Sequence, residues 1–233
     1  MLDIHSHILP GMDDGSASPE ETAELLDLMW QQGITTVVAT PHFYPMQEAP
    51  DSFLSRRQAA VEQMLPATEN QPKLLLGAEV AYFSGIGACE DMIPLQIQNT
   101  NLLLIEMPFS FWSDRIINEI CEIPENLGLT PVLAHVNRYR RRDQFPRHFQ
   151  QLKERGVYFQ CNAEAFETTL NRRWALKLMR QKQLHFLGSD CHHTTFRPPN
   201  LQQAREVIEK KLGVPFFEDF NANAQALFFS KEK

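Results

Sequence analysis

The sequence predicts an α/β fold, a single domain over residues 1–233 whose parallel strands close into a barrel. The length of 233 residues suits one domain of this class. Short apolar runs alternate with helical segments along the whole chain, which is the pattern of parallel βαβ units. A His, Asp or Glu also stands at or just beyond the end of nearly every predicted strand. In a closed barrel these ends share one mouth, whereas an open sheet would spread six of them over about 24 Å.

The first three predicted strands are short and apolar, and they cover residues 2–5, 34–40 and 74–79. Before the second strand, Ser18 is the expected N-cap of a helix, with Pro19 at its first position and Glu21 completing a capping box. Gly33 ends this helix. The second strand is β-branched and nearly continuous, as in a strand buried on both faces. A helix over residues 52–65 leads to the third strand.

Four further strands are expected, over residues 102–106, 131–135, 157–162 and 185–190. Helices are expected over residues 114–127, 145–155, 164–182, 201–212 and 222–229. Gly128 is the expected C′ residue of the first of these helices, and Gly156 ends the second.

Composition excludes several classes of protein. The chain is 43% hydrophobic and 22% charged, as in soluble globular proteins. It has no apolar run near the roughly 18 residues needed to cross a membrane, and a strand at Leu2 leaves no room for a signal peptide. The four cysteines form no Cys-x-x-Cys pair and are expected to be reduced cytoplasmic thiols. A net charge of −7 argues against nucleic acid as a partner. A homo-oligomer is compatible with this composition. The one strongly basic cluster, residues 138–142, is typical of a solvated helix start.

Acidic and imidazole side chains form the candidate functional site. His5 and His7 lie two residues apart on a strand and therefore point to the same face, and Asp190 and His192 repeat this spacing. Singly, the histidines could be surface residues. The full set of candidate metal ligands is His5, His7, Asp14, His42, Glu79, Glu106, His135, Asp190 and His192.

Two alternatives apply to single members of this set. Asp14, within Asp13-Asp14-Gly15, could belong to a simple turn, and His42 could be a loop residue. Glu79 and Glu106 each follow a strongly apolar strand, where an unpaired carboxylate would be costly, so a metal or basic partner is expected for both.

Imidazole and carboxylate ligands without thiolate suit Mn²⁺, Fe²⁺ or Zn²⁺ and argue against a structural zinc site. Nine ligands fit two or three ions, with a carboxylate such as Glu79 as a bridge. Three divalent ions and four carboxylates leave an excess of about +2, which attracts a phosphate dianion and can generate a hydroxide nucleophile. The chain has no Gly-x-Ser-x-Gly, Cys-x5-Arg or Walker-type motif, so covalent catalysis by Ser or Cys lacks support.

The motifs resemble those of the PHP (polymerase and histidinol phosphatase) superfamily, and they occur in the family's order. They are Asp3-Ile4-His5-Ser6-His7, Thr40-Pro41-His42, Gly77-Ala78-Glu79, Ala134-His135 and Ser189-Asp190-Cys191-His192. Within that superfamily, three longer segments resemble the bacterial capsule- and exopolysaccharide-type protein-tyrosine phosphatases. These segments are residues 5–15, residues 134–139 and Arg197-Pro198-Pro199.

This resemblance implies a distorted (β/α)7 barrel and a dependence on metal, usually manganese. The first ion would be held by His5, His7, Glu79 and Asp190. Glu79 would bridge to a second ion held with Glu106 and His135, and a third would take Asp14, His42 and His192. Arg138 and Arg197 match the family's phosphate-contacting arginines, and a guanidinium can bind two phosphate oxygens at once. His42 is a further catalytic candidate.

The expected function is hydrolysis of phosphotyrosine, with a tyrosine kinase controlling polysaccharide export as the phosphorylated partner. Aromatic residues that follow strand ends could rim the mouth and hold the phosphotyrosine ring; they are Phe43, Tyr44, Phe109, Phe111, Trp112 and Tyr139. The alternative is a small-molecule phosphatase of the histidinol-phosphate type, with the same site and a different pocket. A nuclease module is disfavoured by the acidic charge, and a non-enzymatic metal-binding protein by the complete ligand set.

Overall fold

The computed structural model describes residues 1–140 and 145–229. Its strands are β1 (Leu2–Ser6), β2 (Thr36–Ala39), β3 (His42–Phe43), β4 (Lys73–Leu76), β5 (Glu79–Ala81), β6 (Leu102–Glu106), β7 (Thr130–Leu133), β8 (Tyr158–Asn162) and β9 (Phe186–Gly188). Its α-helices are α1 (Pro19–Gln31), α2 (Pro50–Gln63), α3 (Asp114–Leu127), α4 (Phe145–Glu154), α5 (Thr169–Arg180), α6 (Leu201–Leu212) and α7 (Val214–Phe228). Of the basic segment at residues 138–142, residues 141 and 142 lie outside the described parts.

All pairings between these strands are parallel, and strands and helices alternate as the sequence predicts. One sheet has the order β1-β2-β4, and the other has the order β3-β5-β6-β7-β8-β9. His42 on β3 lies opposite Glu79 on β5, and Glu79 lies opposite Leu104 on β6. This register places two of the candidate ligands side by side.

Backbone contacts connect β1 to the segment that follows β9. Ser6 forms a parallel bridge with Cys191. The amide of Asp190 donates to the His5 carbonyl, and the amide of His7 donates to the Cys191 carbonyl, each over 2.8 Å. The fold is therefore an α/β structure with a curled parallel sheet, and the two strands that carry His5 and Asp190 lie next to each other.

Several element boundaries differ from those expected. The predicted strands at residues 34–40 and 74–79 are interrupted, because the chain leaves regular pairing at Thr40-Pro41 and at Gly77-Ala78 before β3 and β5 begin. The helix expected over residues 164–182 is a 3₁₀ turn at Ala163–Phe166 followed by α5, because Thr168 adopts an extended conformation and starts a new helix. The last helix begins at Val214 rather than near residue 222, with a proline in its first turn.

Two predicted helix ends are confirmed. Ser18 caps α1 as expected, and its side chain accepts a hydrogen bond from the Glu21 amide. Gly128 ends α3 in the left-handed conformation that favours glycine, at φ 68°.

The four cysteines are free. Among the described helices, none is both long and apolar enough to span a membrane.

Candidate metal centre

The nine candidate ligands lie in one cluster at the carboxyl ends of the strands. Contacts of 3.6 Å or less between side-chain N and O atoms connect all nine. Six of them are buried, whereas Glu106 and His42 keep 15% and 16% of their side chains exposed and Asp14 keeps 69%. The sequence therefore predicted correctly which strand ends would meet, and the mouth of the cluster lies on the side of His42 and Asp14.

Four ligand atoms converge at the centre of the cluster. His5 Nε2 and His7 Nε2 lie 3.2 Å apart. Glu79 Oε2 is 3.3 and 3.4 Å from these nitrogens, and Asp190 Oδ1 is 3.6 and 3.4 Å from them. Four ligands at about 2.1 Å from one ion would be separated by about 3.4 Å in a tetrahedron. The separations of the two histidine nitrogens from each other and from each carboxylate oxygen therefore suit ligands of one divalent cation.

The hydrogen bonds around the two histidines support this fit. His7 Nδ1 donates to Asp13 Oδ2 over 2.7 Å, and His5 Nδ1 lies 3.3 Å from Gln160 Oε1. With a proton on each Nδ1, both Nε2 atoms present lone pairs to each other and to the carboxylates. A bound cation, or extra protons, must offset this convergence of electron pairs.

A second group surrounds the outer side of the Glu79 carboxylate. Glu79 Oε1 lies 2.8 Å from His135 Nε2, which is 3.3 Å from Glu106 Oε1. His42 Nδ1 lies 3.0 Å from Glu79 Oε2 but forms no hydrogen bond with the described residues, nor does His135 Nδ1. A buried ring nitrogen without such a bond next to a carboxylate fits a metal ligand. The ligand atoms of His42 therefore lie close enough to share an ion either with Glu79 and Glu106 or with Asp14.

The third group lies at the mouth and is looser. Asp14 Oδ1 is 3.6 Å from His42 Nε2 and 3.5 Å from His192 Nε2. Burial, and then the charges of His7 and Arg197, lowers the pKa of His192 to about 4, so its imidazole is neutral. Its Nε2 accepts a hydrogen bond of 2.8 Å from Arg197 Nη1. A cation bound here would therefore compete with the Arg197 guanidinium for this nitrogen.

Electrostatic effects in the centre oppose the cost of burial. Burial alone would raise the pKa of Asp190, but the neighbouring imidazoles, chiefly His5, hold it well below its ordinary range. Burial would lower the pKa of His135, but the carboxylates of Glu106 and Glu79 raise it to about 9. Without a cation, His7 and His135, whose pKa values are both raised, thus retain protons that balance the carboxylates. Metal binding would displace those protons.

Two arginines meet the metal cluster at Asp190. Arg138 Nη2 and Arg197 Nη2 donate to Asp190 Oδ2 over 2.7 and 2.6 Å, while Oδ1 of the same carboxylate faces His5 and His7. The two guanidiniums are 28% and 30% exposed and line a cavity of ≈ 340 Å³. The arginines expected from the sequence therefore stand beside the cluster at an open pocket that Glu164 and Glu167 also line, and an anion there would bind at the two guanidiniums.

Sequence reasoning missed two residues that orient the ligands. Asp13 accepts hydrogen bonds from His7 Nδ1, from the His42 amide and from the Gly15 amide. Such a carboxylate fixes the tautomer of a ligating imidazole. Gln160 is fully buried on β8, where its Oε1 accepts from the His135 amide over 2.6 Å. The Asp13 carboxylate, two residues before the turn glycine Gly15, was a usable signal, whereas a lone strand glutamine was not.

Three residues of the site have left-handed backbones. Asp190, His135 and Arg197 have φ values of 52°, 33° and 57°. Residues other than glycine rarely adopt this conformation, and the strain persists only where surrounding contacts impose it. Asn162 supplies one such contact, because its Nδ2 donates to Asp190 Oδ2 over 2.7 Å. Asn162 was also not identified from the sequence.

The expected aromatic rim is only partly formed. Phe43, Trp112 and Tyr139 are buried in the core, so these three are not rim residues. Tyr44 stacks on His42 with ring centroids 5.2 Å apart. Phe109, 52% exposed, stacks on His135 at 6.0 Å with an interplanar angle of 14°. Phe111 is exposed as well. Two aromatic rings therefore flank the candidate ligands at the mouth.

Comparison with known proteins agrees with this geometry. Over residues 1–228 the chain matches the family described as Capsular polysaccharide synthesis, CpsB/CapC. It is 31% identical over 227 residues to the tyrosine-protein phosphatase CpsB of Streptococcus pneumoniae, covering 91% of each chain. It is 28% identical to the tyrosine-protein phosphatase YwqE of Bacillus subtilis, covering 97% of this chain and 91% of that one.

A solved structure is similar throughout. It comes from a study of YwqE from Bacillus subtilis and CpsB from Streptococcus pneumoniae, described as unique metal-dependent tyrosine phosphatases. The TM-score is 0.78 at 26% identity, over 100% of this chain and 96% of that one. The family expected from the motifs at residues 5–15 and 134–139 is thus confirmed, and the chain belongs to the CpsB/CapC family of capsular polysaccharide synthesis proteins.

Proposed function

We propose that this protein is a metal-dependent protein-tyrosine phosphatase that hydrolyses phosphotyrosine on a protein involved in capsule or exopolysaccharide synthesis. One observation carries the proposal. Asp190 presents one oxygen to the histidines of the cluster and the other to Arg138 and Arg197. A phosphoryl group in the adjoining cavity would therefore contact cationic donors on one side and the metal cluster on the other. The names of the relatives support the same activity.

The proposed metal set is two or three divalent ions, with manganese as the favoured element and iron or zinc as alternatives. His5, His7, Glu79 and Asp190 would hold the first ion, Glu79, Glu106 and His135 the second, and Asp14, His42 and His192 the third. Bound ions supply Lewis-acid chemistry, since they neutralise phosphate charge and lower the pKa of coordinated water. The converging donor atoms and the unpaired Nδ1 of His42 beside Glu79 support this assignment.

The arginines would bind and orient the substrate. Arg138 is also held by Glu164 Oε1, 3.2 Å from its Nε, and this bond directs its terminal nitrogens toward Asp190. Each guanidinium can place two N–H groups on phosphate oxygens and stabilise the charge that develops there. His42, at the open side, would act here as a ligand of the third ion, and a water molecule at the mouth would supply the proton to the leaving oxygen. Phenolate has a pKa near 10, so strong acid catalysis is not required.

The aromatic residues at the mouth favour an aryl phosphate over a small aliphatic one. Tyr44 and Phe109 stack on His42 and His135, so their outer faces border the place where a substrate ring would lie. Burial, and then the charges of Glu106 and Glu79, raises the pKa of Tyr44 to about 12, which keeps its hydroxyl neutral. The two rings of Tyr44 and Phe109 are the reason to prefer phosphotyrosine to histidinol phosphate as the substrate.

The fold and the cellular setting complete the proposal. If β2 with β3, and β4 with β5, each count as one interrupted strand, the curled sheet is a distorted seven-stranded (β/α) barrel in a single domain over residues 1–233. The two chain segments keep their register across the interruptions at Pro41 and Gly77. The Gly77 amide donates to the Ala39 carbonyl, and the Glu79 amide donates to the Pro41 carbonyl. We place the enzyme in the cytoplasm, with a polysaccharide-export tyrosine kinase as its substrate.

The test combines metal analysis with substrate choice. Purified protein should contain two or three divalent ions per chain by mass spectrometry, lose activity in EDTA and regain it with Mn²⁺. Its kcat/KM should be higher for a phosphotyrosine peptide than for histidinol phosphate. Phe109→Leu should reduce the ratio of kcat/KM for the phosphotyrosine peptide to that for histidinol phosphate. Phe111→Leu, at a similarly exposed ring, should leave this ratio unchanged. Higher efficiency on histidinol phosphate would establish the alternative function, and full activity after complete metal removal would refute the metal proposal.

A further inference from the structure

Helix α5 carries a basic groove that the metal centre does not use. The groove has a volume of ≈ 300 Å³, lies between α5 and the end of α6, and is lined by Thr169, Arg172, Arg173, Leu176, Arg180 and Lys211. Thr169, Arg173, Leu176 and Arg180 follow one another at intervals of four, three and four residues, so they share one face of the helix. Four cations therefore line one concave surface, and among the described residues no carboxylate does.

These cations are not neutralised within the described parts of the chain. Arg172, Arg173, Arg180 and Lys211 form none of the ion pairs there, and Arg173, Arg180 and Lys211 are exposed. On α6 the nearby Glu209 is already paired with Arg205 over 2.6 Å.

The arrangement is also unfavourable for the helix itself. Residues 169–182 contain five Lys or Arg and no Asp or Glu, in a chain with a net charge of −7. Arg172 and Arg173 stand close to the positive end of the α5 dipole, where cations weaken a helix. Arg180, in the last turn, is favoured by the dipole, but Arg172 and Arg173 oppose it. None of the four groove cations has an ion-pair partner in the described parts of the chain, which is better explained by an external anion.

The groove begins next to the candidate active site. Glu167, two residues before α5, lines the same cavity as Arg138 and Arg197, and Arg140 Nε donates to Asn171 Oδ1 on α5 over 2.6 Å. From Thr169 to Arg180 the helix rises about 17 Å, which matches about five residues of an extended peptide. A peptide whose phosphotyrosine occupies the cavity can therefore reach along α5.

We propose that this groove binds an acidic segment flanking the phosphotyrosine of the same protein substrate, with Asp, Glu or further phosphotyrosine residues facing Arg173, Arg180 and Lys211. The proposal rests on the proposed phosphatase function. It extends that function, because it makes the charge of the flanking residues, and not only the phosphotyrosine, a determinant of substrate choice. Charge complementarity selects this occupant, since a peptide extending from the site arrives at four cations that have no ion-pair partner over residues 1–140 and 145–229.

The test uses the metal-loaded full-length protein and two phosphotyrosine peptides of equal length, one with acidic flanks and one with Ser and Gln at the same positions. The groove variant is Arg173→Gln/Arg180→Gln/Lys211→Gln. The matched control is Lys73→Gln/Lys153→Gln/Arg155→Gln, which removes the same charge elsewhere. Binding is measured with non-hydrolysable phosphonate versions of both peptides, alongside kcat and KM.

The groove variant should bind the acidic peptide about tenfold more weakly, through KM rather than kcat, because three exposed charge interactions are lost. Its affinity for the neutral peptide should not change, and the control variant should resemble the unmodified protein. Equal losses on both peptides, or the same loss in the control, would overturn the proposal. So would binding to anionic lipid vesicles that the groove variant loses while peptide discrimination persists. Failure of the phosphatase function itself would appear as no turnover of either peptide by the unmodified protein.

Discussion

Asp13 offers a sensitive test of how the metal centre is organised. Its carboxylate accepts hydrogen bonds from His7 Nδ1 at 2.7 Å, the His42 amide at 2.9 Å and the Gly15 amide at 3.0 Å. All three donors are N–H groups, so Asp13 acts through hydrogen bonds and is not one of the nine candidate metal ligands. We therefore expect Asp13→Asn to weaken metal binding without removing a ligand, in contrast to Asp14→Asn.

The size of the effect follows from these contacts. Asn is nearly isosteric with Asp and can still accept two of the three hydrogen bonds, but it no longer supplies the charge that makes His7 Nε2 a strong ligand. Replacing such an orienting carboxylate typically costs 10- to 100-fold in metal affinity. We expect about 30-fold weaker binding, which corresponds to about 2 kcal/mol. Because the ligands remain, saturating Mn²⁺ should restore most of kcat.

The assay titrates Mn²⁺ into metal-free protein, with bound metal and phosphotyrosine hydrolysis followed in parallel. Asp13→Asn should shift both curves to higher Mn²⁺ and reach the same stoichiometry, whereas Asp14→Asn should lower the stoichiometry or the limiting rate. Asp91→Asn, at an exposed aspartate away from the cluster, is the control. An unchanged titration of Asp13→Asn, or a loss of activity that Mn²⁺ does not restore, would refute the orienting role.

Three further outcomes are expected. Arg138→Lys should lower kcat/KM by about 100-fold with unchanged metal content, because lysine cannot reproduce the planar two-point contact with a phosphoryl group. Gly15→Ala should destabilise the protein by about 1–3 kcal/mol in urea unfolding, since the added Cβ would lie 2.0 Å from the His7 carbonyl oxygen. Burial lowers the pKa of His185 to about 4, and its Nδ1 accepts a hydrogen bond from the Phe159 amide. Its neutral form therefore contributes stability that is complete above pH 6.5 and is lost as the pH falls toward 4. Between pH 7 and pH 5 the metal-free protein should lose about 2 kcal/mol more than His185→Asn, whose side-chain oxygen can still accept that bond.

The fold was predictable where local signals were strong. The Ser18 cap and the glycine after α3 fix helix ends through backbone hydrogen bonds that the sequence encodes directly. The interruptions of two strands were not predictable, because an apolar run looks the same whether or not its middle is paired. At Gly77, a Cβ would lie 3.1 Å from Ile97 and 3.3 Å from Thr40, so packing with distant residues decides the local path.

The site was predictable at its charged residues and not at its neutral ones. An acidic or imidazole side chain after an apolar strand is conspicuous because it needs a partner, and this reasoning found Glu79 and His135. Gln160 and Asn162 hold the same ligands through amide hydrogen bonds, yet an amide on a strand needs no metal and carries no distinctive spacing. Their roles depend on β8 lying beside β7 and β9, which is a property of the assembled sheet.

Asp190 combines three constraints that explain why the site is built around it. Its left-handed backbone, at φ 52°, directs the carboxylate between the histidines and the arginines, and its amide donates to the His5 carbonyl. Asn162 and two guanidiniums donate to the outer oxygen, so the carboxylate can neither rotate nor leave the imidazoles without breaking those bonds. A phosphoryl group that attracts Arg138 and Arg197 would weaken their hold on this oxygen and leave more negative charge on the carboxylate. Substrate binding and metal binding should then reinforce each other through one side chain, and phosphate should bind more tightly as the Mn²⁺ concentration rises.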